Sequence, residues 1–230
     1  MSRADFYDAI RPIFGGSLTE SQVQGIEVLL AATDGLPIGH RAYLLATAKH
    51  ETAHTMQPIY ERGKRAYFNK YEPGTKRGEA LGNTKPGDGY LFRGRGYVQL
   101  TGRDNYIKAG KKLGLNLVDG PDAALSPMIA ARILVQGSSE GWFTGKKLSD
   151  YLPDSFVEAR RVINGTDRAQ EIAASAISFG KALAVLGDPQ SAPAVSAQPI
   201  PPKSDPQAFG LAWIIKAILQ GIGLLTWRKK

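Results

Sequence analysis

A chain of 230 residues with no cysteine and a formal net charge of +8 is long enough for one substantial domain that folds without staples, plus an appendage. The absence of cysteine excludes disulfides and thiolate chemistry. No apolar run of signal-peptide length opens the chain, and Asp5 and Asp8 sit where one would begin, so synthesis without a signal peptide is expected.

In chain order, Asp5 to Phe14 predicts a short helix with Phe6 and Ile10 on one side, closed by Gly15-Gly16. Ser17-Leu18-Thr19-Glu20 has the spacing of a capping box, and the helix it opens carries Val23, Ile26, Leu29 and Leu30 on one face until Asp34-Gly35-Leu36-Pro37 ends it. A third helix, from Arg41, puts Leu44, Leu45 and Ala48 at buried spacing and delivers His50 and Glu51. From Arg62 to Gly89 no period is sustained. A loop of this length, with one short helix near Lys76 to Leu81, reads as a functional cleft wall.

The glycine-rich stretch from Gly87 to Gly96 lets backbone approach a ligand closely. Tyr97 to Thr101 then alternates like a short strand, which would aim Gln99 and Thr101 the same way, and a helix follows from Asp104. Ser126-Pro127 is an N-cap and first-turn pair for a helix bearing Ile129, Ala130, Ile133 and Leu134. Ser155 to Ile163 predicts a shorter helix stopped by Asn164-Gly165, and Arg168 to Leu186 an alanine-rich one. The fold class is mainly α. Residues 1–187 form the expected catalytic domain, 188–207 a Pro/Ala/Ser-rich linker, and 208–230 a hydrophobic helix with a basic end.

Charge is uneven. Between Arg62 and Lys112 thirteen Lys or Arg face four acids, a field that favours an anionic partner such as a wall polymer, lipopolysaccharide or nucleic acid; a merely solvated basic face is the plain alternative.

Two motifs compete for the same residues. His50-Glu51-Thr52-Ala53-His54 fits H-E-x-x-H, in which two histidines one helical turn apart hold zinc and the glutamate activates water. The second reading uses more of the chain. His50-Glu51-Thr52, Glu61, the block from Tyr90 to Tyr106 with its Arg-Gly-Arg-Gly-Tyr-Val-Gln-Leu-Thr core, and Ile163-Asn164-Gly165 resemble the family 19 glycoside hydrolases, in particular the chitinase-like endolysins of bacteriophages. The resemblance covers roughly Phe6 to Leu186.

It implies a lysozyme-like α-helical domain with a two-lobed cleft, needing no cofactor or metal. Glu51 takes the position of the general acid and Glu61 that of the general base, with Glu72 in reserve. Thr101 takes the place of a residue that helps hold the attacking water. Gln99, Tyr106 and Asn164 match sugar-binding positions, and Arg95, from the same block, is a further substrate-binding candidate. Relatives often have two glycines where this chain has Ala53-His54.

The physical expectation agrees with these roles. Inverting glycosidases hold their carboxyls ~6.5–9.5 Å apart so that water fits, and a helix end facing a loop can supply that gap. Desolvation would keep Glu51 protonated, and Arg62, Lys64 and Arg65 would hold Glu61 ionised. The plain alternatives are an ion-pair role for Glu61, caps or turns for Thr101 and Asn164, and a core position for Tyr106.

The implied function is hydrolysis of β-1,4 bonds in peptidoglycan glycan strands by a protein made in the host cytoplasm and acting at the wall or periplasm. Chitin hydrolysis, zinc endopeptidase activity and non-catalytic wall or nucleic-acid binding are the alternatives, and no specific nucleic-acid partner is expected. In the tail, Lys216 at mid-span costs ~2.5–3.5 kcal/mol in a bilayer. The flanking tryptophans and Arg228-Lys229-Lys230 suit a membrane-active helix on anionic lipid or lipopolysaccharide; a transmembrane anchor and a docked helix are the other readings.

Overall fold

A computed structural model describes residues 2–186. The expected linker and the hydrophobic tail lie outside the described residues. Among the described residues no helix is long and apolar enough to cross a membrane.

Eight α-helices are described: α1 (Arg3–Ile10), α2 (Glu20–Ala32), α3 (Ile38–Glu51), α4 (Lys76–Ala80), α5 (Asp88–Leu91), α6 (Arg103–Leu113), α7 (Pro127–Glu140) and α8 (Ala169–Val185). Two short strands, β1 (Ile59–Tyr60) and β2 (Arg95–Gly96), pair antiparallel with Tyr60 opposite Arg95. The mainly α expectation holds.

The organising element is α3. Every residue from Arg41 to Lys49 is buried, so this helix is surrounded on all sides, as a helix through the middle of a domain must be. Its principal neighbour is α8, which also packs on α1, while α2 lies against α7. A helix held on all sides fixes whatever its last turn carries.

Several boundaries differ from the sequence expectation. The α2 capping box sits two residues later than the Ser17–Glu20 spacing suggests. The Thr19 hydroxyl accepts from the Gln22 N–H at 3.2 Å, and the Gln22 carboxamide oxygen accepts from the Thr19 N–H at 2.8 Å, so glutamine fills the acceptor place that Glu20 was expected to take. The expected helix from Ser155 to Ile163 is only a 3-10 turn over Glu158–Val162. The expected strand from Tyr97 to Thr101 is a tight reversal. Arg95 and Leu100 exchange backbone hydrogen bonds at 3.2 and 2.9 Å, and Gln99 has φ of 53°. Gly96 and Gly102, at φ of 86° and 92°, break the extension on either side. The short helix in the long loop is present as α4.

Close backbone packing secures the segment after α3. A Cβ on Gly25 of α2 would stand 1.8 Å from the Met56 carbonyl oxygen, a backbone atom that cannot yield. Gly25→Ala is therefore expected to destabilise the domain by at least about 1–3 kcal/mol, read as a lowered urea midpoint with an unchanged slope.

Candidate active site

Glu51 is the last residue of α3, and Thr52 ends the helix. The fully buried Thr52 hydroxyl donates to the Ala48 carbonyl at 2.7 Å and accepts from the Met56 N–H at 3.1 Å, so it closes the helix and fixes the return of the chain together. Ala53 and His54 then take left-handed φ values of 49° and 69°, a region glycine enters without the Cβ penalty. This gives a physical sense to the glycine pair of the resembling proteins.

The same turn corrects the zinc reading. The motif needs the helix to continue through His54 so that both imidazoles share a face, and here it stops at Glu51. Among the described residues no group of three His, Cys, Asp or Glu side chains converges as a metal site.

Glu51 is 17% exposed, and its Oε1 accepts from Arg160 Nη1 at 2.6 Å. The guanidinium is itself 2% exposed and donates through Nε to the Asp167 carbonyl at 3.0 Å. A charge-assisted bond from a buried, doubly held arginine fixes the carboxyl's orientation and leaves Oε2 as the oxygen available to a ligand. Asn164 is exposed beside this pair, its N–H donating to the Arg160 carbonyl at 3.0 Å.

Glu61 directly follows β1. Its backbone N–H donates to the Gly94 carbonyl at 2.7 Å, while its Oε2 accepts from the Gly94 N–H at 3.1 Å. Carboxylate and backbone are both referenced to one residue. A Cβ on Gly94 would lie 2.8 Å from Gln99 Oε1 and 3.1 Å from Glu61 Cβ, so a side chain here would have to displace one of the two. Oε1 accepts from the Tyr71 hydroxyl at 2.9 Å, with Lys70 Nζ at 4.0 Å.

The cation near Glu61 is therefore Lys70. Arg62, Lys64 and Arg65, expected there from sequence proximity, are exposed and make no ion pair with Glu61 among the described residues. Burial pushes the Tyr71 phenol up, and the hydrogen bond to Glu61 and its charge push it further, so Tyr71 remains a donor across the working pH range. Burial opposes the charge on Lys70, but its hydrogen bonds to Tyr67 and Tyr71 outweigh that and raise its pKa. Tyr71→Phe removes one of the fixed donors on Glu61, and the expected result is a kcat lower by about tenfold or more with the fold retained, because a net hydrogen bond to a charged group is worth about 1.5–3 kcal/mol. The acidic limb of the pH–rate profile should move up. An unmoved limb would show that Tyr71 does not tune the carboxylate.

Glu72, the reserve base, is turned to the backbone, accepting from the Gly87 N–H at 2.7 Å. Gln99 Nε2 donates to the Ile59 and Gly96 carbonyls at 3.1 and 3.3 Å, and the Thr101 hydroxyl donates to the Gln99 carbonyl at 2.7 Å. Glu61, Gln99 and Thr101 are thus gathered around the β-ribbon by its reversal, not by strand alternation.

Tyr106 and Arg95 need correction. Tyr106 is fully buried, its hydroxyl donating to the Arg93 carbonyl at 3.0 Å and accepting from Arg95 Nη1 at 2.9 Å. Arg95 is 2% exposed and engaged with Asp122 and the Leu91 and Arg93 carbonyls. Both brace the ribbon from inside. Asn105, the part-exposed neighbour of Tyr106, holds the Thr101 carbonyl at 2.7 Å; together with Arg160 and Tyr71 it was missed in the sequence, where nothing marks it apart from a helix-start polar residue.

No family model matches the chain. An endochitinase from Arabidopsis thaliana is 39% identical over 82 residues, 35% of this chain and 26% of that protein. A glycosyl hydrolase family 19 domain-containing protein from Haemophilus influenzae is 50% identical over 36 residues, 16% of this chain and 18% of that protein. The match thus spans about a quarter or less of these relatives' length. Among solved structures, chitinase C from Streptomyces griseus superposes with a TM-score of 0.56 at 22% identity, covering 80% of this chain and 76% of that one, and a mutant form gives 0.53. The chain has the lysozyme-like fold of the family 19 chitinases and is chitinase-like in sequence over those segments.

Proposed function

We propose that this protein is an inverting glycoside hydrolase that cuts β-1,4 bonds between amino sugars, with peptidoglycan glycan strands as its substrate, in the role of an endolysin. The observation that carries the reading is that two carboxyls are each fixed by their own donors on separate elements. Glu51, at the end of α3, has Oε1 held by the buried Arg160, an ion-pair partner in place of the purely desolvated setting expected from the sequence. Glu61, after β1, takes a backbone N–H on one oxygen and a phenol on the other.

On this reading Glu51 Oε2 delivers the proton to the departing glycosidic oxygen, and Glu61 takes one from a water that attacks the opposite face of the sugar. The Thr101 hydroxyl, its own hydrogen committed to Gln99, offers that water an acceptor, while Gln99 and Asn164 meet the sugar. The apolar, C-terminally basic segment 208–230 would bring the domain to anionic membrane or lipopolysaccharide.

Chitin is the second reading, favoured by the endochitinase and chitinase C likenesses. Purified protein on purified peptidoglycan and on chitin oligosaccharides, with products followed by reducing ends and by proton NMR of the fresh anomer, tests both. Reducing ends of inverted configuration from peptidoglycan are expected, undiminished by chelator. New free amines in their place would sink the glycosidase, and cleavage of chitin alone would move the substrate.

A further inference from the structure

Pairing of Tyr60 with Arg95 and of Glu61 with Gly94 splits the β-ribbon between two faces. Glu61 and the bare Gly94 belong to one, Tyr60 and Arg95 to the other. Next to the second face lies an open groove of ≈ 550 Å³ lined by Arg65, Tyr90, Arg93, Arg95 and Asp122, among others. The catalytic assignment uses none of these as a sugar contact.

Cations and rings alternate along it. The Arg65 guanidinium stands 4.5 Å from the Tyr90 ring centre and Arg93 stands 4.1 Å from the same ring; Arg93 is also 4.4 Å from Tyr60, and Arg95 is 5.2 Å from Tyr60. Stacking holds a guanidinium flat and keeps the N–H fork at its rim free for a second partner. Arg95 spends its fork on Asp122 at 2.8 Å. Burial works against the charge of Asp122, but hydrogen bonds from Tyr60 and Arg95 and the charges of Arg95 and Arg93 hold its carboxyl below the usual range, so that acid stays neutralised in place. Asp119, also on the groove, accepts from Asn116 at 2.6 Å. Arg65 and Arg93 have no carboxylate within ion-pair distance among the described residues, and the one hydrogen bond of Arg93 outward is to the Tyr90 carbonyl at 2.8 Å. Two guanidinium groups held at one ring, neither in an ion pair among the described residues, are suited to recognition of a carboxylate.

We infer that this groove is a binding site for a carboxylate carried as a substituent on the glycan, seated on Arg65 and Arg93 while the sugar chain lies against Glu61 on the other face of the ribbon. The inference rests on peptidoglycan as the substrate. Two carboxylates of that polymer share the required chemistry, those of the peptide stem and the lactyl group laid bare when the stem is removed. An uncharged chitin chain offers neither.

The test is equilibrium titration of the full chain, wild type and Arg65→Gln/Arg93→Gln, with a stem-bearing disaccharide, the same disaccharide freed of its stem, and a chitin tetrasaccharide. The double variant is expected to lose about tenfold in affinity for a carboxylate-bearing ligand, the scale of one charge-assisted hydrogen bond, with chitin binding and melting temperature unchanged. The ligand that loses affinity identifies the source, and added salt should shrink the wild-type advantage. Equal losses on all three ligands, or none, would overturn the groove. Release of reducing ends from peptidoglycan by the wild type is measured apart, so that failure of the substrate reading is seen there and not confused with failure of the groove.

Discussion

Glu51→Gln should lower kcat by about 10²- to 10⁴-fold, the usual contribution of a positioned proton donor, while the domain stays folded. The fold survives because the amide oxygen can keep the hydrogen bond from Arg160, and because a neutral side chain at this position imitates the protonated state that the wild type must itself visit. Loss of a proton donor has a signature. A glycoside whose leaving group is already a weak base, such as an aryl glycoside, needs little protonation, so the variant's deficit should shrink on it. The equivalent Glu61→Gln deficit should not shrink, since activation of water is needed whatever departs. A Glu51 variant that keeps its activity on the natural polymer would remove the acid assignment; identical behaviour of both variants on the aryl substrate would remove the distinction between acid and base.

Asp88→Ala should cost about 3–5 kcal/mol of stability, the scale of breaking a buried ion pair from one side. Asp88 is 1% exposed, and its Oδ2 accepts the N–H groups of Thr84 and Lys85, each at 2.9 Å, and Arg103 Nε at 2.7 Å. Truncation leaves all of these donors without their acceptor. The effect should reach the site, because Arg103 donates its backbone N–H to Asn83 at 2.8 Å, Asn83 holds the Tyr71 carbonyl at 2.7 Å, and Tyr71 holds Glu61. Burial opposes ionisation of Asp88, yet the bonds from Arg103, Lys85 and Thr84 and the Arg103 charge win, and its carboxyl lies below its ordinary value. A folded-state pKa below the unfolded one means that the stabilisation is present above about pH 4 and is lost as pH falls below that. Wild-type urea midpoints should therefore drop on acidification through this window, with a shallower drop in the variant. Parallel curves would assign the acid sensitivity elsewhere.

What could be read from the chain was the part written in neighbouring residues. The helix delivering Glu51, the short helix in the long loop and the alanine-rich last helix all follow from local periodicity and breakers. Partners supplied from a distance were not legible: nothing around Glu158–Val162 marks Arg160 as the clamp on Glu51, and the cations adjacent to Glu61 in sequence make no ion pair with it among the described residues, while Lys70, further along, does. Tyr106 misled because an aromatic ring beside a polar run suits both a sugar platform and a core, and only its burial separates them. The reversal at Gln99 was hidden because alternation of large and polar residues describes a strand and a tight turn equally well over five positions. The carboxylate pair and its surroundings thus emerge from different levels, the acids from motif and their environments from packing.

Glu51 and Arg160 stand 109 residues apart, which has a consequence for a chain emerging from a ribosome. Helix α3 and Glu51 are synthesised early, but the clamp and the helix α8 that packs along α3 come only near the end of the described residues. Until that final third is out, α3 lacks its main neighbour and the carboxyl its only ion-pair partner among the described residues. The carboxyl is therefore without its clamp for most of the domain's synthesis, and on the proposed function activity should arise late, when the closing of this long-range contact completes the site.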